Sequence, residues 1–401
     1  MKRNIINKLI LSSLFLGFMS CTGNYMDINS NPYEPDDLSP DDYALGSAMS
    51  GMASTVIASD VNTAQFTDCL LGGPLGGYFA DSNSGWSNTI SNFDAKNDWT
   101  RVFLISDKII ATLYSNLNAI KIVSDNTHNP VPYAIAQIMK VAAMSRVTDA
   151  YGAIPYSKIG EDGKITTPYD SQEEVYNKFF EELDGAIAVL TENRNAALVA
   201  SADFVYSGNV QKWCKFANSL KLRLAIRIAY ANPSKAKEMA ESAVKQEMGL
   251  IESNEDNAKW NYFGTLPNPI YTAVRYNEEK TGGDTHAAAD IICYMNGYDD
   301  NRRASYFEKS KWEEQAYVGL RRSINLAKMG DYFSNYSTIK MKSSDPVLWR
   351  MLRKLLSCVP KERRSLILIW EERLVISIIK EFDFLSSNGE RLELTIIWKM
   401  P

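Results

Sequence analysis

The chain has 401 residues, with 43 lysines and arginines against 48 aspartates and glutamates, a formal net charge of −5. That balance excludes the basic face of a nucleic-acid binder, and 45% apolar with 23% charged residues excludes a disordered chain. Two histidines, His128 and His286, and five scattered cysteines (Cys21, Cys69, Cys214, Cys293, Cys358) without a CxxC pair offer no metal site, disulfide framework or cofactor motif.

Residues 1–20 form a signal peptide: Lys2, Arg3 and Lys8 precede an apolar run from Leu9 to Met19, which ends at Ser20-Cys21. Eleven residues span roughly 16 Å, about half a hydrocarbon core, too short for a membrane helix. Cysteine at the cleavage point predicts a lipoprotein, with Cys21 lipidated and the chain anchored to a membrane rather than spanning it. The alternative is an ordinary signal peptide followed by a chance cysteine, and Phe18, three places earlier, is an untidy residue there. Residues 21–42 are polar and hold Asn29-Ser30-Asn31-Pro32 and Pro35, and read as a linker with turns.

Helical periodicity then dominates. A first stripe runs through Phe103, Ile105, Ile109, Ile110, Leu113, Leu117, Ile120 and Val123, and a second covers 132–150. The clearest helix begins at Ser171, three before Glu174, a capping box, with Val175, Phe179, Leu183, Ala186 and Leu190 in one stripe. Another spans Val210 to Ala231. Asn232-Pro233 starts the next, which stops at Gly249 as a left-handed cap. The fold class is therefore mainly α: stacked helical hairpins of the tetratricopeptide kind, with long irregular loops. Three regions resist a helical reading, roughly 70–100, 151–170 and 250–285. Loops of this length over a helical scaffold are where binding sites sit.

No catalytic constellation stands out. Gly72-Gly73-Pro74-Leu75-Gly76-Gly77 lacks the Gly-Lys-Ser/Thr of a phosphate loop and reads as a flexible loop. His286 reads as an exposed or helix-start residue. The acid pairs Glu173-Glu174, Glu181-Glu182 and Asp299-Asp300 read as solvated faces or caps. The aromatics carry more. Tyr78, Phe79, Trp86, Phe93 and Trp99 alternate with Asp81, Asn83, Asn88, Asn92 and Asp94, and Trp260, Tyr262, Phe263, Tyr271 and Tyr276 stand among Asn257, Asn261 and Asn268. Rings flanked by amides and carboxylates suit a saccharide, whose apolar faces stack while its hydroxyls bond at the rim. Tyr78, Trp86, Trp99, Trp260, Tyr262 and Tyr271 are the candidate ligand contacts; the competing reading is that such rings pack the loops onto the scaffold.

Val141 to Tyr156, VAAMSRVTDAYGAIPY, resembles the helix-to-loop element of SusD/RagB-type outer-membrane lipoproteins, a helix ending in Asp-x-Tyr-Gly-x-x-Pro-Tyr. Pro168–Tyr176 and Glu182–Ile187 resemble its continuation, and Trp213–Arg227 the family's next signature helix. Tyr298-Asp-Asp-Asn-Arg-Arg303 is similar to its Asp-Pro-Arg turn, with Asn301 where proline is usual, and Tyr25–Pro32 resembles the opening after the lipidated cysteine. The resemblance covers about residues 1–349. It implies an α-helical, tetratricopeptide-like domain on the outer membrane of Bacteroidetes-type bacteria, lipid-anchored and facing outward. There it would act as a lid on a TonB-dependent SusC-like transporter and pass on glycans or other nutrients as a binding protein, not an enzyme. In the signature itself Gly152 permits a turn stiffened by Pro155, and Asp149 is expected to cap backbone donors. Two other readings stand beside this one: a glycoside hydrolase with unrecognised carboxylates, and a truncated, non-functional or adhesive surface protein.

The organisation is thus a signal peptide (1–20), a linker (21–42), a SusD-like domain (43–349) and a tail (350–401). The tail departs from the family pattern. It holds ten basic against seven acidic residues and only one glycine, Gly389. The family continues with a helix like A-E-V-x-F-L-R-A-E, which is missing. Reading each codon from 351 onward in a frame that begins at its third base, permitted codon choices turn Met351–Arg363 into A-A-E-V-A-F-L-R-A-E-G-A. A one-base deletion after Trp349 accounts for this, and the chain would then lack the family's C-terminal helices. The alternative is a genuine divergent terminus. Resequencing codons 340–360 is expected to reveal the missing base; agreement with the present sequence would reject the frame slip.

Overall fold

The computed structural model describes residues 40–58, 60–82, 109–160, 166–198, 200–260, 267–276, 278, 283–312, 314–324 and 334–350. The signal peptide, Cys21, nearly all of the linker, Trp86, Trp99, Tyr262 and the tail beyond residue 350 lie outside the described residues. The chain divides into two units, Met1–Tyr43 and Ala44–Pro401, and the architecture below is that of the second.

Six long helices supply the scaffold. Helix α1 (Pro40–Val56) buries Leu45, Ala48, Met49, Met52, Ala53 and Val56, a stripe at helical spacing. Helix α2 (Ile109–Asn126) buries Ile109, Leu113, Leu117 and Ile120; the earlier residues of its expected stripe, through Ile105, lie outside the description. Helix α3 (Val131–Tyr151) is buried around most of its circumference, as the inner ply of a stack must be. It ends at Gly152, whose φ of +77° is open only to glycine at low cost, as expected.

Helix α4 (Gln172–Glu192) starts with the predicted capping box: Ser171 accepts from Glu174 N, and the Glu174 carboxylate accepts from Ser171 N. Its stripe Val175, Phe179, Leu183, Ala186 and Leu190 is buried throughout. Helix α5 (Val210–Arg227) ends four residues short of expectation. Pro233 forces Asn232 out of helical geometry, to φ −147° and ψ 82°, so residues 228–232 are spent turning the chain. Helix α6 (Pro233–Lys245) then opens with Asn232 accepting from Lys235 N. It stops before Gly249. Gln246 leaves the helix because its side chain is held on both ends, donating to Thr191 Oγ1 and accepting from Asn218 Nδ2 and Met248 N. Gly249 is left-handed, but in the turn beyond.

Helices α2 to α6 pack in chain order, each on the next. Buried ammonium groups pin their register. Lys140 on α3 bonds Glu182 on α4 at 2.7 Å, and the second oxygen of Glu182 accepts from the Tyr156 hydroxyl. Lys221 on α5, 1% exposed, bonds Asp184 on α4 and Ser242 on α6. Among the described residues Asp149 caps no backbone donor: its carboxylate accepts from the Tyr176 hydroxyl at 2.7 Å and pairs with Arg227 Nε at 3.0 Å. Asp203, in the turns before α5, is buried and accepts from Val205 N, Tyr206 N, Gly208 N and Trp213 Nε1.

The remaining elements are short. Val61–Ala64 runs into a π-helical segment, Gln65–Gly72, and a single α-turn, Gly73–Leu75. The glycine run is therefore an ordered turn rather than a flexible loop. Its glycines serve close approach: a Cβ on Gly73 would lie 2.2 Å from the Phe79 ring. Two antiparallel pairs of strands follow, β1 (Phe79–Asp81) with β3 (Thr285–Ala287), and β2 (Ala258–Trp260) with β4 (Val347–Arg350). Short helices α7 (Pro269–Val274), α8 (Ala289–Gly297) and α9 (Arg303–Tyr306) fill the rest.

Glu182→Ala leaves the Lys140 ammonium without its counter-charge and the Tyr156 hydroxyl without its acceptor, in a nearly dry setting. It is expected to cost about 3–5 kcal/mol, against about 1 kcal/mol for Ser171→Ala, which removes only a cap. Urea unfolding of the two variants checks that ranking.

Candidate functional site

The β1–β3 ladder pairs Phe79 with Ala287 and Asp81 with Thr285, and so brings residues 77–78 against the start of α8. The Tyr78 carbonyl accepts from Ala288 N at 2.9 Å. Gly77 has φ +68°, and a Cβ there would sit 3.2 Å from the Cβ of Asp290. Glycine is thus required on two counts. Arg322 locks the corner: Nε and Nη2 grip the Asp290 carboxylate at 2.9 and 2.8 Å, while Nη1 donates to the Pro74 carbonyl at 2.6 Å. This two-pronged grip holds the Asp290 carboxyl below the usual carboxylate range, the hydrogen bonds of Arg322 being the main cause.

From Asp290 one face of α8 continues at helical spacing to Tyr294 and Tyr298. The two tyrosine rings lie 4.8 Å apart at 52°, each 41% exposed, while Ile292 and Met295 on the opposite side are buried. Tyr78, 55% exposed, stands near the other end of the same helix. The two tyrosines and Asp290 thus mark out an exposed strip about 12 Å long by helical rise, with the arginine–carboxylate pair at one end. Rings that pair while remaining this exposed are not spent on the core.

The predicted contacts divide. Tyr78 is exposed, and its carbonyl is held by Ala288 N at the start of α8. Tyr271 is half-buried with Arg275 over its ring at 5.1 Å, on α7. Trp260 is 9% exposed and packs edge-on against Trp349, which also meets Trp213 and Phe216; its ring belongs to the core. Trp86, Trp99 and Tyr262 are outside the described residues. Sequence reasoning missed Tyr294, Tyr298, Asp290 and Arg322. The Tyr-x-x-x-Tyr spacing was a usable signal, but Arg322 lies 32 positions from Asp290 and 248 from Pro74, and no local pattern links them.

His286 overturns its expectation. It is the middle residue of β3, wholly buried, with Nδ1 3.0 Å from Ser82 Oγ. Its place in the ladder opposite Ala80 buries it. A serine beside a histidine is the pair an acyl-transfer enzyme would use, but here both are sealed from substrate. Among the described residues no three histidine, cysteine or acidic side chains gather in a way that could hold a metal, and no helix is long and apolar enough to cross a membrane.

The SusD-like family model, described as Susd and RagB outer membrane lipoprotein, matches residues 27–352. Solved structures similar to this chain include a SusD homolog from Bacteroides uniformis, 73% identical with a TM-score of 0.78, covering 86% of this chain and 70% of that one. A susD homolog from Bacteroides thetaiotaomicron is 33% identical, TM-score 0.71, over 85% of this chain and 68% of that one. A chitin-binding SusD homolog from Flavobacterium johnsoniae is 30% identical, TM-score 0.67, over 78% of this chain and 64% of that one. No curated protein sequence matches.

Arg322→Ala is expected to return the Asp290 carboxyl toward about 3.9, read from the pH dependence of its carboxyl ¹³C shift. Because the folded value lies below the unfolded one, the contribution of this pair is present above about pH 4 and lost as the pH falls through the depressed folded value.

Proposed function

The chain belongs to the SusD-like family of outer membrane lipoproteins, and from that premise we propose that it is a cell-surface protein, anchored through lipidated Cys21. It binds an oligosaccharide or polysaccharide and delivers it to a TonB-dependent SusC-like transporter. The observation that carries the glycan reading is the exposed Tyr294–Tyr298 pair on the helix that the Asp290–Arg322 clamp fixes. Apolar sugar faces stack on such rings, and the exposed edge of the carboxylate accepts hydroxyl protons. The chitin-binding relative lends the same class of ligand. Tyr271 and the aromatics Trp86, Trp99 and Tyr262 are proposed to extend the surface.

We read the role as capture, and Asp290 is unsuited to be the proton donor of a glycosidase. Asp290 is the acid on the strip, and it is held ionised by Arg322. A general acid for glycoside cleavage needs the opposite, a carboxyl raised so that it keeps its proton.

Titration of the purified chain against a panel of soluble glycans, chitooligosaccharides among them, tests the proposal. At least one is expected to bind, and Tyr294→Ala or Tyr298→Ala should each weaken it about tenfold, ~1.4 kcal/mol. Silence across the panel would remove the carbohydrate claim.

A further inference from the structure

A cleft lies at the other signature elements of the chain. It has a volume of about 320 Å³ and is walled by the end of α3 (Asp149), the first turns of α4 (Gln172, Glu173, Tyr176, Asn177), the end of α5 (Arg227) and the start of α6 (Asn232, Lys235). Helix ends meeting at one place give a cleft whose walls are fixed by the stack. Arg227 is held side-on. Its Nε bonds Asp149 at 3.0 Å and faces the Tyr176 hydroxyl at 3.3 Å, while Tyr176 itself donates to the other Asp149 oxygen. Burial, and then the Asp149 carboxylate, push the Tyr176 hydroxyl up, so it stays a donor.

Only one edge of the guanidinium is therefore used. Among the described residues, Nη1 and Nη2 have no partner within the chain, and the side chain is 46% exposed. Holding an arginine by Nε while leaving its two terminal nitrogens open is the arrangement that receives a carboxylate with two parallel bonds. Among the described residues, Lys235 on the same wall has only Glu238, at 3.5 Å, for an ion pair. Glu173 and Asn177, from the first turns of α4, line the same cleft. A carboxylate and an amide accept and donate to hydroxyls. Among the described residues lining the cleft the aromatic is Tyr176, and at 5% exposed it offers no face for stacking.

We propose that this cleft binds a compact, polyhydroxylated carboxylate of monosaccharide size, a sugar acid, with its carboxylate on the open edge of Arg227 and its hydroxyls toward Glu173 and Asn177. The site is separate from the tyrosine strip and shares no residue with it, and the inference does not rest on the glycan reading. The ligand chemistry has two sources, a free sugar acid or an acidic residue within a glycan.

Calorimetric titration of the whole purified chain with glucuronate, with glucose and acetate as controls, tests it. Glucuronate is expected to bind in the low-millimolar range, more tightly than acetate, with glucose undetected. Arg227→Lys, which keeps the charge but loses the paired geometry, should weaken glucuronate about tenfold. Lys235→Ala, at a half-buried position whose one ion pair is with Glu238 among the described residues, should weaken it about threefold with the melting temperature little changed, and carries the test if Arg227→Lys fails to fold. A glucuronate-containing disaccharide that binds more tightly than glucuronate identifies the source as a glycan; weaker binding identifies a free acid. Equal binding of glucose and glucuronate, equal binding of acetate, or affinity unchanged in both variants would overturn the proposal.

Discussion

A buried ammonium group has to be answered by a carboxylate, and α4 answers two of them. Its Glu182 reaches back to Lys140 on α3, and its Asp184 reaches forward to Lys221 on α5. Lys221 is 1% and Lys140 9% exposed, so sliding one helix past another by a turn would strand a nearly buried ammonium group, where an unpaired ion costs several kcal/mol. Apolar stripes alone permit such slips, because leucine on alanine is nearly as good one turn on. The two ion pairs remove that freedom. With the register of α3, α4 and α5 fixed, Asp149, Tyr176 and Arg227 can only meet at the helix ends, and the cleft there follows from the pinning.

The other surface is positioned by different means. Only three-residue strands, β1 and β3, join segments some two hundred positions apart, and a ladder that short is weak by itself. Arg322 compensates by bonding a carboxylate on α8 and a carbonyl in the Gly73–Leu75 turn at once. The glycines there admit rings and side chains at distances a Cβ would forbid. Stacking an arginine fork on a glycine-lined turn gives a rigid platform without a large sheet beneath it.

Much of the scaffold was legible because helices are local objects. Ser171 and Glu174 are three residues apart, Asn232 and Pro233 adjacent, and the stripe of α4 lies within sixteen positions; each is complete inside one window. Helix ends fared worse where a side chain overruled them. Gly249 looked like the stop of α6, but Gln246 was already tied to Asn218 and Thr191 from neighbouring helices. His286 looked like a surface residue because nothing nearby announces that Ala80 will pair opposite it. Within the candidate site Tyr78 could be named from the sequence, while Asp290 and Arg322 could not, their partnership being wholly long-range. Aromatic identity also misleads: Trp260 and Tyr78 look alike as candidates, yet one ring is in the core and the other in water.

The indoles of the core have an optical consequence. Trp349 in β4 lies 6.2 Å from Trp213 on α5 and 6.2 Å from Trp260 in β2, with interplanar angles of 62° and 86°. At that separation the electronic transitions of three indoles mix, and excitation passes among them faster than it is emitted. The trio therefore acts as one chromophore that exists only while residues 347–350 lie along β2. Its coupled circular dichroism and depolarised fluorescence are a native label for the seating of that strand, carried by the chain without any added dye.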